Sequence, residues 1–126
     1  MDAGQFTKNI LDLDDNILFA GIAEKSGHLN VSNQRINVDD YLKGRNLEMI
    51  VSQAVNVVDL RKMFTSLFGN LDSIIFAYEN MNILMFPVKD HVLLVFANNA
   101  IKTDVLIKKI RGNTVSSTNS LDLYSR

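Results

Sequence analysis

Apolar residues recur along this chain with two different periods, and the changes of period mark the elements. From Leu71 to Ala97, LDSIIFAYENMNILMFPVKDHVLLVFA, they come in short dense runs split by polar pairs, the pattern of strands joined by tight turns. Ser73 to Tyr78 is β-branched and aromatic, which suits a pleated surface. Alternation puts Ile74, Phe76 and Tyr78 on one face and Ile75 and Ala77 on the other. Both faces are apolar, so this strand is expected to be covered on both sides. Glu79-Asn80 makes a turn in which Asn80 is expected to supply positive φ. Asn82 to Phe86 returns and is expected to stop at Pro87, which lacks the N–H that a ladder needs. Val88-Lys89-Asp90 turns again. His91 to Ala97 is then an almost unbroken apolar run, the mark of a central strand. Turns this short make all three strands antiparallel.

The flanking chain reads as cover for that sheet. In Gln5 to Leu13 the apolar residues Phe6, Ile10 and Leu13 recur at helical spacing, and Asp14-Asp15-Asn16 breaks the pattern. Ile17 to Ala23 is a strand. Gly21 within it suggests a bulge or a close approach. Glu24-Lys25-Ser26-Gly27 is a hairpin turn, and Leu29 to Ser32 returns as a shorter, more polar edge strand. Asn33 to Arg45 is polar; Asn37 or Asp39 suits the cap of a short helical turn, and Gly44 punctuates it.

Asn46 to Phe68 reads as one long helix, ended by Gly69-Asn70. At about 100° per residue, Leu47, Ile50, Val51, Ala54, Val57, Val58 and Phe68 fall on one broad side, the expected core face. Met49, Leu60, Met63 and Leu67 fall nearly opposite. That second stripe has no use in a helix that only covers a sheet. Ala100 to Arg111 is a last helix after Asn98 or Asn99, expected to end at Gly112. The expected fold is therefore α+β: a five-stranded antiparallel sheet in the order α-β-β-α-β-β-β-α, with the long helix on one face and the terminal helices on the other. Residues 1–112 are expected to form one domain and 113–126 a loose polar tail, from which Leu121, Leu123 or Tyr124 could still dock.

Composition narrows the chemistry. The 126 residues carry a formal net charge of −1, which argues against a general electrostatic grip on nucleic acid. There is no cysteine, so no disulfide framework, thiolate metal site or cysteine nucleophile exists, in keeping with a reducing cytoplasm. MDAGQFTKN lacks the features of a signal peptide, and no apolar run reaches the roughly 20 residues of a membrane span. Asp12, Asp14 and Asp15 lack a calcium-loop pattern and read as turn residues. His28 and His91 each sit beside a turn, without the partners of a catalytic triad, and are expected to be solvated. Met49, Met63, Met81 and Met85 suit packing or an adaptable interface. Lys102, Lys108, Lys109 and Arg111 form a basic helix end that is expected to be solvated, an acidic partner being the lesser reading. No glycine-rich phosphate loop is present. Neither a cofactor nor a metal is expected.

The order of elements, together with these residues, resembles the roadblock/dynein-light-chain family, within the profilin-like and longin-like α/β folds. The likeness is clearest over Phe64 to Ala97. The hairpin ILFAGIAEKSGHLNVSN also resembles the family's opening strand pair with its Gly in the turn. Residues Ala3 to Gly112 are covered in outline, while Asn33 to Asn46 match poorly. Small archaeal proteins look similar too, a likeness that adds no function. The resemblance implies a homodimer, or a heterodimer with a paralogue, made through the long helix and the adjacent outer strand. It also implies a cytoplasmic, non-catalytic scaffold or regulator, often of small Ras-like GTPases, and supplies no catalytic residues. The residues expected at the interface are Met49, Leu60, Met63, Leu67, Ser73, Ile75 and Ala77. The competing expectation is a small-ligand sensor of PAS-like or profilin-like type, with a pocket between sheet and helix opened at Gly21.

Overall fold

In a computed structural model, which describes residues 1–117 and 120–123, five strands form one antiparallel sheet in the spatial order β2-β1-β5-β4-β3. The elements are α1 (Ala3–Leu11), β1 (Ile17–Ala23), β2 (Leu29–Gln34), α2 (Val38–Leu42), α3 (Leu47–Lys62), α4 (Thr65–Phe68), β3 (Ile74–Ala77), β4 (Asn82–Val88), β5 (His91–Ala97) and α5 (Thr103–Ser117). The α+β architecture and the five-stranded sheet are those expected. The central position of the 91–97 run is confirmed, and every residue of β5 is buried.

The pleat sends alternate side chains to opposite faces, and each face has its own core. Phe6, Ile10 and Leu11 of α1 and Leu106 and Ile110 of α5 pack on Ala20, Ile22, Leu84, Leu93 and Val95. On the other face α3 lays Val51, Ala54, Val55 and Val58 on Phe19, Met85, Leu94 and Phe96. The rings of Phe19 and Phe96 meet at 5.0 Å between centroids, a pair contributing about 0.5–1.5 kcal/mol beyond its area. Gly21 lies over this second layer without any opening. A Cβ there would sit 2.9 Å from both the Phe19 ring and Leu29 Cδ1.

Several boundaries differ from the sequence reading, each for a local reason. β4 runs through Pro87 to Val88. Tyr78 N donates to the Met81 carbonyl at 2.9 Å, and main-chain groups alternate in direction, so the nitrogens of Met81, Ile83, Met85 and Pro87 all face the β3 side. β3 has already begun at Ile74 opposite Met85, so Pro87 meets no strand and its missing donor costs no ladder bond. β2 extends to Gln34 because Asn33 Nδ2 donates to the Gly4 carbonyl and Thr7 Oγ1, tying the strand to α1. Asn37 caps α2 by accepting from Asp39 N. At the 79–80 turn Asn80 does not take positive φ; among the described non-glycine residues, Lys43 and Lys89 do.

The long helix is two helices. Thr65 Oγ1 donates to the Lys62 carbonyl at 2.5 Å, a local bond that competes with the helical one, and Phe64 steps out to φ −97°, ψ 9°. The break resets the helical phase, so Phe68, expected in the core, is 82% exposed. Gly112 does not end α5. Its added Cβ would meet nothing within 4 Å, and the helix continues to Ser117. Beyond it Leu121 and Leu123 are buried against the α1–α5 core, and Lys89 Nζ donates to the Leu121 carbonyl. Tyr124 lies outside the described residues.

Candidate interaction surface

Four side chains crowd the C-terminal end of the α3–α4 unit in solvent: Leu60 is 56% exposed, Met63 69%, Leu67 73% and Phe68 82%. Phe64 joins them, its ring 6.3 Å from that of Phe68. Scattered exposed apolar residues are ordinary, but a contiguous group signals an interaction surface. The exposed flank has a definite direction. Ser52, Asn56 and Asp59 line a polar hollow with the β1–β2 turn at Lys25–Gly27. The opposite flank of α3, carrying Ile50, Val57 and Arg61, therefore faces the β3 side. There Val57, Leu60, Arg61, Met63 and Phe64 line an apolar hollow of about 200 Å³. Phe64 and Phe68 continue past Gly69 to Leu71 and Asp72, the lead into β3.

β3 is the margin of the sheet. It is not covered on both faces as its apolar pattern suggested: Phe76 and Ala77 are exposed. Ile74 packs with the α3-side core and Ile75 with the α1–α5 core, so Ile74, Phe76 and Tyr78 share the face of α3, as alternation predicts. The ladder to β4 assigns the main chain. The Tyr78–Met81 bond directs the groups of Tyr78, Phe76 and Ile74 inward, and those of Ser73, Ile75 and Ala77 outward. Among the described residues no other strand meets them.

The expected interface residues thus divide into three groups. Leu60, Met63 and Leu67 come together at one end of the rod. Met49 is equally exposed but stands eleven residues earlier, about 16 Å along the axis. Ser73, Ile75 and Ala77 present main chain rather than side chain to the margin, their side chains lying on the face away from α3. Sequence reasoning missed Phe64, Phe68, Phe76 and Tyr78 as surface residues. The helix break conceals the first two, and an edge strand with two apolar faces conceals the others.

The charged candidates are engaged within the fold. Asp12 pairs with Lys8 at 2.9 Å. Asp14 pairs with Lys109 at 2.9 Å, and Arg111 pairs with Asp72, so half of the basic helix end is spent on structure. The Asp14 carboxyl lies below its ordinary range because the Asn16 main-chain N–H and then the Lys109 ammonium bind its charged form. His28 is exposed, 3.4 Å from Glu48. His91, expected in solvent, is instead buried, with its Nδ1 2.7 Å from Asp90. Among the described residues no cluster of three metal-ligating side chains forms, and no helix is long and apolar enough to cross a membrane.

Compared by sequence, the chain matches no family model and no curated protein. Compared by structure, it has the roadblock/LC7 fold. A roadblock/LC7 domain from Streptomyces avermitilis superposes with a TM-score of 0.72 at 11% identity, over 95% of this chain and 98% of that one. MglB of Myxococcus xanthus gives 0.71 at 15% identity, over 94% and 93%. A structure of MglB in a tetrameric arrangement gives 0.68 at 11%, over 93% and 85%.

Proposed function

We propose that the protein is a non-catalytic interaction module of the cytoplasm. In this reading two copies, or a copy and a paralogue, join through the outer side of α3–α4 and the margin at β3. The joined unit acts as a scaffold or regulator of a small Ras-like GTPase in signalling or trafficking. The observation that carries the reading is the apolar group Leu60, Met63, Phe64, Leu67 and Phe68 lying beside a strand margin whose outward main chain no strand among the described residues meets. The roadblock/LC7 fold and the tetrameric MglB structure support it.

Ligand sensing has less support, since the opening it needs at Gly21 is filled by Phe19 and Leu29. The test is retention of a purified Ras-like GTPase, loaded with GDP or with a non-hydrolysable GTP analogue, on the immobilised protein. Retention by the unsubstituted chain and its loss in Leu60→Asp is the expected result. Equal retention by both would overturn the assigned surface, and no retention in either nucleotide state would overturn the assigned partner.

A further inference from the structure

We infer that the surface holding residues 120–123 is a groove for an extended Leu-x-Leu segment of another protein, and that the chain's own 120–123 occupies it as a displaceable strap. The groove lies on the α1–α5 side of the sheet, the face opposite α3, so this inference stands apart from the reading above.

The segment is held as an added strand is held in a peptide groove, by main-chain bonds and by pockets for alternate side chains. Leu121 and Leu123 are 3% and 1% exposed and join the core that contains Ala3 and Phe6, while Ser120 and Asp122 are exposed. Asp122 N donates to the Met1 carbonyl at 2.7 Å, within a parallel bridge between Asp2 and Asp122. Three donors from separate parts of the fold meet the segment's carbonyls. Met1 N donates to Ser120 at 2.8 Å, Lys89 Nζ to Leu121 at 2.6 Å and Asn30 Nδ2 to Leu123 at 3.2 Å. Lys89 reaches its carbonyl from a left-handed backbone, φ 55°, where Asn or Gly is usual, and such outliers collect where the chain clamps something. All these contacts read either main chain or two leucines at alternate positions, so any extended chain with that spacing can make them. The strap can also leave without opening the sheet. Its bridge is to a residue before α1 and not to a strand. Two leucines set against the ordering of the segment place it among the parts that open locally. A segment tethered in cis competes at high effective concentration, so the closed groove takes an outside peptide weakly and a weakened strap lets it in.

The probe is a fluorescent peptide carrying Ser-Leu-Asp-Leu, titrated with the full chain and followed by anisotropy. The double variant Leu121→Ala, Leu123→Ala is expected to bind it about tenfold more tightly than the unsubstituted chain, and a peptide carrying Ser-Ala-Asp-Ala is expected not to bind. The chain has no cysteine, so the pair Asp2→Cys, Asp122→Cys, about 5 Å apart at Cα across the bridge, can lock the strap with one disulfide. Binding should vanish on oxidation of that variant and return on reduction. No binding by the folded double-alanine chain, or equal binding of the two peptides, overturns the groove. Should that chain not fold, hydrogen exchange in the unsubstituted chain decides. The Asp122 N–H is expected to exchange at least about tenfold faster than the Leu94 N–H in β5, and equal rates overturn the displaceable strap. An oxidised mixture of Asp2→Cys and Asp122→Cys chains that yields more covalent dimer than either alone overturns the assigned occupant, since the strap of a second copy would then fill the groove.

Discussion

The two margins of this sheet are built differently, although both are antiparallel edge strands without a charged side chain. At β2 the Arg35 N–H bond to the Leu18 carbonyl leaves Ser32 and Gln34 with outward main chain, up to the register shift opposite Ile22 and Ala23. That margin is tied down by side chains. Asn30 donates to the Leu123 carbonyl, Gln34 Oε1 accepts from Val38 N, and Asn33 and Arg35 reach α1 and its end. At β3 the side-chain hydrogen bonds among the described residues lie beyond the strand's ends, from Asn99 to the Tyr78 and Glu79 carbonyls and between Arg111 and Asp72, and the neighbours of Ile74–Ala77 are exposed Phe, Leu and Met. The polar margin spends its hydrogen bonds on its own fold. The apolar one leaves its surface in solvent, where the proposed function places a second chain. Edge strands without guarding charges invite such pairing, and here only one of the two has an apolar flank to accompany it.

The largest effect is expected on association. Leu60→Asp or Met63→Asp places a carboxylate in the apolar group and should convert the dimer to monomer, read as a halved mass in sedimentation. Phe76→Lys should do the same, while Ser32→Lys at the opposite margin should leave the mass unchanged. A monomer produced by Ser32→Lys would erase the distinction between the margins. Next comes the packing that anchors β2 to β1. Gly21→Val drives new atoms into Phe19 and Leu29, and is expected to destabilise by about 1–3 kcal/mol in urea denaturation. Asn33→Ala removes the bonds to Gly4 and Thr7 and should cost about 1 kcal/mol in the same assay; no loss would mean that this margin is held by other contacts.

The smallest effect is electrostatic. The lowered Asp14 carboxyl adds stability above its unfolded pKa, and that contribution disappears as pH falls through the folded value. Lys109→Met should move the carboxyl back toward its ordinary range in an NMR titration and shrink the acid-side loss. An unmoved titration would leave Asn16, through its main-chain N–H and its side-chain amide, as the cause.

The strands and their hairpin pairings were legible because period-two patterns and turn residues act locally; the β1–β5 pairing, which sets the strand order, was not. The face of α3 was legible at Val51, Ala54 and Val58, but Val55, which the reading left out, is buried, and Val57, which it put in the core, lies on the flank toward β3. What failed depended on competition or on distance. Thr65 chooses its own carbonyl bond over continuing the helix, which turned Phe68 from an expected core residue into the most exposed aromatic ring of the group. Pro87 stays in a strand only because β3 is already absent there, a fact about a neighbour. Gly112 stays in a helix because nothing presses on it. At the candidate surface, the Leu and Met stripe could be read from helical spacing. The roles of Ser73, Ile75 and Ala77 could be read only in part, because a sequence pattern reports side-chain faces and says little about which main-chain groups lack a partner.

Self-pairing through the apolar side is the claim on which the rest depends. Light scattering of the unsubstituted chain across a dilution series tests it most directly. The expected result is a mass twice that of the 14.2 kDa chain, falling to the single-chain value for Leu60→Asp. A single-chain mass at every concentration, with Leu60, Met63 and Leu67 left in solvent, would contradict it.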